Sequence, residues 1–386
     1  MFYPGNWIDS FPDNYQWSNA TSITKGMAPW GAVALGEIDE VIQRLHQRAG
    51  EPQAWWEEWT VMGARMERFA DAAAAENRQA SAGNYYLRAG MYYYTGERMV
   101  PPGAQKTGIY KKSLHCSHEG LKRRHKNIEF VEVPYEGAHL PAYFMKSPVA
   151  PARAPTVVLF DGLDNCKEMS VLFAGIELAF RGYHTLAIDG PGQGEALRLR
   201  NLYSRYDYEV PGTAAYEYVA SRKDVDPERV AIMAYSLGGY SAPRMAAFEK
   251  RYRACVAWGA LFDYHATWEK RLKLMQTEGT GTKQAASHFQ LPWVMGVPDM
   301  AAAMKKIKQF TLAGVAERIE CPTLVLYGEN DRLTPRAVAD QLYNAVGARD
   351  KTLKVLTLED GGTEHCQADN RQVGIDTICD WLAPRL

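Results

Sequence analysis

Ser236 stands where an apolar run meets two glycines, in AIMAYSLGGYSAPRMAAFEKR (231–251). The pattern small-x-Ser-x-Gly, after a strand and before an Ala-rich helix, forms a nucleophile elbow that lifts the serine on a tight turn. The neighbours must be small so that strand and helix can approach, which gives Ala234 and Gly238 a steric reason; a serine that merely caps the helix is the plainer alternative. A serine hydroxyl is a weak nucleophile at neutral pH and needs a base held in one tautomer by a carboxylate. The chain offers both in the right order: Asp331 in ENDRLTP after the apolar run PTLVLYG, and His365 in GGTEHCQADN after LKVLTLED. Glu329 and Asp360 are the alternative acids, read as a turn residue and a loop cap.

Acyl chemistry at a serine also needs N–H donors for a developing oxyanion. One is expected from Leu237, the residue after the nucleophile, and the other from Leu163 or else Gly162, in the Asp161–Asp164 turn after TVVLFD. The glycines of DGPGQGE (189–195) lack the G-x-G-x-x-G spacing of a dinucleotide loop and are interrupted by Pro191. His115, Cys116 and His118 lie close together without a second ligand cluster, and read as ordinary surface or core residues rather than a metal site. Cys166 and Cys366 read as packing thiols. No cofactor and no metal are expected.

These residues need a scaffold that brings successive strand ends together. TVVLFD (156–161), YHTLAIDG (183–190), RVAIMAY (229–235), ACVAWGA (254–260), PTLVLYG (322–328) and LKVLTLED (353–360) are short, apolar on both faces and separated by helical stretches. That alternation describes an α/β fold with a doubly wound, mostly parallel sheet. Before it, IEFVEVPY and AHLPAYFMK, joined at Glu136 and Gly137, read as an antiparallel hairpin. Residues 1–125 read as a helical N-terminal cap domain and 126–386 as the catalytic domain, with a lid insert at about 262–320. In the helical part, Trp55, Trp56, Trp59, Met62, Met66 and Phe69 recur at helical spacing and are assigned to core packing. PPGAQKTG (101–108) reads as a turn, and the charged piece after it as a connector helix.

The 386 residues are 46% hydrophobic and 23% charged, within the range of globular proteins. Lys and Arg total 44 against 45 Asp and Glu, so no overall field favours nucleic acid or an anionic membrane as partner. No run approaches the roughly 20 apolar residues of a membrane span. MFYPGNWIDSFPDNYQWSN carries no positive charge before Lys25 and no signal-like apolar run. The six cysteines form no C-x-x-C pair, which fits free thiols in a reducing cytoplasm. A homodimer is compatible with the chain.

The strings FDGLDNCKEM (160–169), AIDGPGQGEA (187–196), AYSLGGY (234–240), YGENDRLTP (327–335) and GGTEHC (361–366) follow a long helical region, and together the chain resembles the α/β-hydrolases related to 2,6-dihydroxypseudooxynicotine hydrolase and the fungal yellowish-green heptaketide hydrolase. The resemblance covers most of the chain and implies an α/β-hydrolase fold with a helical cap. It implies catalytic Ser236, Asp331 and His365, and an acidic site residue at Glu168, which the sequence by itself would explain as a carboxylate favoured at a helix N-terminus. It also implies cleavage of a carbon–carbon bond next to a ketone in a small aromatic or polyketide-like substrate. Carboxylester hydrolysis and acyl transfer through the same acyl-serine are the rival activities, and a catalytically dead binding protein is the non-enzymatic one.

Overall fold

The computed structural model describes residues 8–277 and 289–386. Residues 1–7 of the N-terminal stretch and 278–288 of the expected insert lie outside the described residues. The chain forms two compact units, Met1–Ile128 with Met275–Trp293, and Glu129–Leu274 with Val294–Leu386. Among the described residues, no helix is long and apolar enough to cross a membrane.

The first unit contains helices α1 (Tyr15–Lys25), α2 (Leu35–Gln47), α3 (Ala54–Ala75), α4 (Gln79–Glu97) and α5 (Ala104–Arg124). Its centre is a run of rings, Trp17, Trp55, Trp59 and Tyr92, with successive centroids 5.4, 5.6 and 5.8 Å apart. Such a series adds directional contact to the area it buries. Phe69 departs from the expected core: it is 47% exposed and meets Tyr85 at the surface, because the buried stripe of α3 runs through Met62, Met66 and Ala70 instead. The tyrosine hydroxyls of α4 are satisfied by carboxylates, Tyr92 donating to Glu37, Tyr93 to Glu67 and Tyr86 to Asp71, each at 2.6 Å. The expected turn over 101–108 is shorter than read. Gly103, at φ 150°, breaks the chain, and Ala104 already begins α5. Lys106, buried, binds Glu97 at 2.9 Å and lies 4.6 Å from the Trp293 ring centroid, which ties the insert's Trp293 to this unit.

The second unit is built on strands β1 (Ile128–Tyr135), β2 (Ala138–Met145), β3 (Ala154–Phe160), β4 (His184–Ile188), β5 (Val225–Tyr235), β6 (Ala254–Trp258), β7 (Thr323–Gly328) and β8 (Lys351–Leu356). They form one eight-stranded sheet in the order β1-β2-β4-β3-β5-β6-β7-β8, with β2 antiparallel to β4 and the pairs from β4 to β8 parallel. Glu136 (φ 42°) and Gly137 (φ 77°) turn β1 into β2, as two positive φ values in a tight hairpin require. All seven residues of β3 and all five of β4 and of β6 are buried, which explains their unbroken apolar character. Each Val, Leu, Ile or Phe so covered contributes roughly 1.5–3 kcal/mol. Strand β8 stops at Leu356, earlier than its apolar pattern suggests, because Asp360 accepts the Thr357 N–H at 2.9 Å and closes a turn.

Candidate active site

Strand β5 ends in a residue with strained backbone. Ser236 has φ 61°, a left-handed conformation that costs a non-glycine residue about 1–3 kcal/mol and persists only where its surroundings enforce it. The Ser236 N–H donates to Trp258 O at 2.9 Å, and the Ser236 carbonyl accepts the Gly239 N–H at 2.8 Å. A Cβ on Gly238 would come within 2.5 Å of the Ala234 Cβ, and one on Gly239 within 2.3 Å of Gly259 O. Small residues therefore let helix Gly238–Phe248 leave the sheet at once.

The loops after β7 and β8 close on this turn. His365 Nε2 lies 2.8 Å from Ser236 Oγ, and His365 Nδ1 lies 2.6 Å from Asp331 Oδ2. The other Asp331 oxygen accepts the N–H groups of Leu333 and Thr334 at 2.8 and 2.9 Å, so this buried carboxylate is held from both sides. With Asp331 accepting from Nδ1–H, Nε2 is left to accept the serine proton. Burial pulls the His365 pKa down, but the Asp331 carboxylate and Cys366 together outweigh it and hold the imidazole well above its ordinary value. The alternative acids are engaged elsewhere, Glu329 accepting the Leu358 N–H and Asp360 serving its own turn.

Three residues that the sequence did not single out hold the histidine loop. The Trp258 carbonyl, already bound to the Ser236 N–H, also accepts the Cys366 S–H at 3.2 Å, and the Trp258 indole N–H donates to Gln367 Oε1 at 2.5 Å. Asp369 accepts the N–H groups of Thr363 and Glu364. Cys366 and Gln367, at φ 50° and 52°, supply the bend. A bulky residue at the end of β6 was the available signal for Trp258, while nothing local marks Gln367 or Asp369.

On the other side of Ser236 the loop after β3 comes down on the elbow. A Cβ on Gly162 would stand 2.7 Å from the Ser236 Cβ, so only glycine allows this approach. Gly162 and Leu237 line one cavity, together with Gln193, Tyr208, Tyr240 and Phe310. Leu163 follows in the turn, half-buried.

Glu168 stands in a buried network. It accepts the Tyr143 hydroxyl at 2.6 Å and meets Lys167 Nζ at 2.8 Å; the same ammonium binds Asp189 at 2.9 Å and Glu195 at 3.1 Å. The DGPGQGE segment clasps the loop after β3. Gln193 Nε2 donates to Asp161 O at 2.6 Å, Gln193 Oε1 accepts the Gly190 N–H at 2.9 Å, and the Gly194 N–H donates to Asn165 O at 2.7 Å. A Cβ on Gly194 would collide with the Asp189 carboxylate at 2.2 Å. Among the described residues, no group of three or more His, Cys, Asp or Glu is arranged to hold a metal ion.

The model of the prolyl oligopeptidase family matches residues 176–386, more than half of the chain. Among curated proteins the chain is similar to the hydrolase acrC of Aspergillus aculeatus, 29% identical over 83% of this chain and 84% of the relative. It is similar to 20-hydroxy-prefusarin hydrolase FUS2 of Gibberella moniliformis, at 26% identity over 87% of this chain and 88% of that one. It is also similar to 2,6-dihydropseudooxynicotine hydrolase of Paenarthrobacter nicotinovorans, at 26% identity over 92% and 91%. The solved structure of the 2,6-dihydroxy-pseudo-oxynicotine hydrolase shares the fold with a TM-score of 0.75 at 22% identity, covering 94% of this chain and 95% of that one.

Proposed function

The chain belongs to the prolyl oligopeptidase family and is an α/β-hydrolase, and from that premise we propose that it is a cofactor-free serine hydrolase with Ser236 as nucleophile, His365 as base and Asp331 as the orienting acid. The observation that carries this reading is the continuous line Asp331 Oδ2, His365 Nδ1, His365 Nε2, Ser236 Oγ, with steps of 2.6 and 2.8 Å. As Ser236 Oγ attacks a carbonyl carbon, its proton passes to His365 Nε2, and the Asp331 carboxylate stabilises the imidazolium. The N–H groups of Leu237 and of Leu163 or Gly162 receive the oxyanion. Collapse of the tetrahedral intermediate breaks the bond to the leaving group, which takes the proton from Nε2. Water then attacks the acyl-serine by the same route and restores the hydroxyl.

The bond broken is a carbon–carbon bond next to a ketone, in a small aromatic or polyketide-like substrate. The prefusarin and pseudooxynicotine substrates named in two of the relatives support a small-molecule substrate, and the family resemblance implies the bond. A carbanion leaving group must be protonated as it departs, so such a substrate needs an acid or an electron sink that an activated ester does not need. Ester hydrolysis is the second reading. It is favoured by the engagement of Glu168 with Tyr143 and Lys167, which ties up the carboxylate that the ketone reaction would use.

One comparison separates them. Ser236→Ala should remove both the cleavage of an acyl-aryl ketone and the hydrolysis of a nitrophenyl ester. Glu168→Gln should lower ketone cleavage by about tenfold or more, the worth of one buried charged hydrogen bond, and leave the ester rate within a few-fold. Equal losses make Glu168 structural, and activity on esters with none on any such ketone establishes the esterase.

A further inference from the structure

Two carboxyl groups meet at the root of the loop after β3. Phe160 of β3 pairs with Ile188 of β4 in parallel register, so the next residue of each strand, Asp161 and Asp189, stand side by side. Both are completely buried. Their partners are unequal. Asp189 accepts the Lys167 N–H at 2.7 Å, Lys167 Nζ at 2.9 Å and the Glu195 N–H at 2.8 Å. Asp161 Oδ1 accepts the Ser170 hydroxyl, while among the described residues no donor reaches Asp161 Oδ2.

The charges around the pair do not balance if both are ionised. The nearby ammonium, Lys167, already contacts three carboxylates, Asp189, Glu168 and Glu195; the Arg200 guanidinium is shared between Glu195 and Glu132, and among the described residues no salt bridge reaches Asp161. A buried carboxylate without a counter-charge takes up a proton rather than remain ionised.

We propose that Asp161 is a neutral carboxylic acid in the working enzyme, that its O–H donates to Asp189, and that this bond positions the loop Asp161-Gly162-Leu163 over Ser236. The inference rests on the proposed use of that loop as an oxyanion donor. Asp161 is thus a positioning residue: its carbonyl is gripped by Gln193, and Gly162 next to it presses on the serine. Burial and the neighbouring Asp189 hold the Asp161 carboxyl well above the usual carboxylate range. The other titratable groups around the pair are Lys167, Glu168 and Glu195, together with Cys166, Tyr143, Tyr208 and Tyr235. Burial pushes the Cys166 thiol and the three phenols well above their ordinary values, which keeps them neutral. As pH rises, loss of the Asp161 proton would break the bond to Asp189 and place a negative charge beneath the site of the developing oxyanion. The rate should then decline on the alkaline side.

Infrared difference spectroscopy on the whole enzyme tests the protonation directly. The wild type at neutral pH should show the C=O stretch of a protonated carboxyl, and Asp161→Asn should lack it. The Asn amide keeps an N–H donor towards Asp189 but has no proton to lose, so the pH–rate profile of this variant should lose the alkaline decline, whatever its plateau. Asp161→Ala, which keeps neither bond, should fall about tenfold on the neutral plateau, the loss set by one buried hydrogen bond, and should likewise lose the alkaline decline. Absence of the band overturns the protonation, and an unchanged alkaline decline in Asp161→Asn overturns the positioning role. Persistent turnover in Ser236→Ala would instead sink the serine mechanism and leave the band in place, so the two failures are distinguishable.

Discussion

At the ends of β5, β7 and β8 the polar contacts lead towards one oxygen: Asp331 to His365, His365 to Ser236 Oγ, with Trp258, Gln367 and Asp369 holding the loop that delivers the imidazole. At the ends of β3 and β4 they lead away from it, into Asp161, Asp189, Lys167, Glu168 and Glu195, and on through Arg200 to Glu132. On the proposed reading the first region moves a proton, and the second holds charge still so that a loop keeps its shape. Damage to the first should therefore read out as lost turnover at intact stability. Damage to the second should show in geometry, pH dependence and stability.

The sharpest break in the comparison is Asp331→Asn, which should cost on the order of 10⁴ in kcat with little change in melting temperature. It should also move the acid limb of the pH–rate profile. The imidazole must be neutral to accept the serine proton, and the carboxylate beside it raises its pKa, so activity in the wild type is lost as pH falls through that raised value. Removing the carboxylate takes away the larger raising cause, and the limb should shift to lower pH. Near-normal turnover, or an unmoved limb, would assign the orienting role to another group.

Gly162→Ala probes the boundary between the two regions. Its methyl group would meet the Ser236 Cβ at 2.7 Å and push the loop off the elbow, with an expected loss of about 10²–10³ in kcat, the scale of one missing oxyanion donor. Full activity in a folded Gly162→Ala enzyme would dissociate the loop from the chemistry. The smallest effect belongs wholly to the second region. Because the native state raises the Asp161 pKa, the folded chain keeps a proton that the unfolded chain releases above about pH 4. Wild-type stability should therefore decline from there towards the raised value. Asp161→Asn has no such proton, and its melting temperature should gain on the wild type by a few degrees as pH rises from about 4 to 8. A constant gap between the two would show that the carboxyl titrates alike in both states.

The same contrast explains what could be read before any coordinates. The meeting of Ser236, Asp331 and His365 is legible because each follows an apolar run that must be a buried strand, and parallel strands present their ends on one side of the sheet. The Asp161 cluster carries no such mark: Lys167 lies 22 residues from Asp189 and 28 from Glu195, and no local pattern foretells pairs at that separation. The spacing in DGPGQGE argues against a nucleotide loop. It could not reveal that Gln193 reaches back to Asp161 O. Phe69 shows a further limit, since helical spacing identifies a stripe of apolar residues but not the point at which the stripe leaves the core.

The contact between Ala234 and Gly238 has a consequence for how this elbow can drift. The 2.5 Å that would separate their Cβ atoms means the two positions share room for a single methyl group. Ala–Gly, Gly–Gly and Gly–Ala pairs fit, and Ala–Ala does not. A lineage carrying the present pair can therefore place a methyl group on the helix side only after the strand side has given one up, and each route between the two single-alanine forms made one change at a time passes through the double glycine.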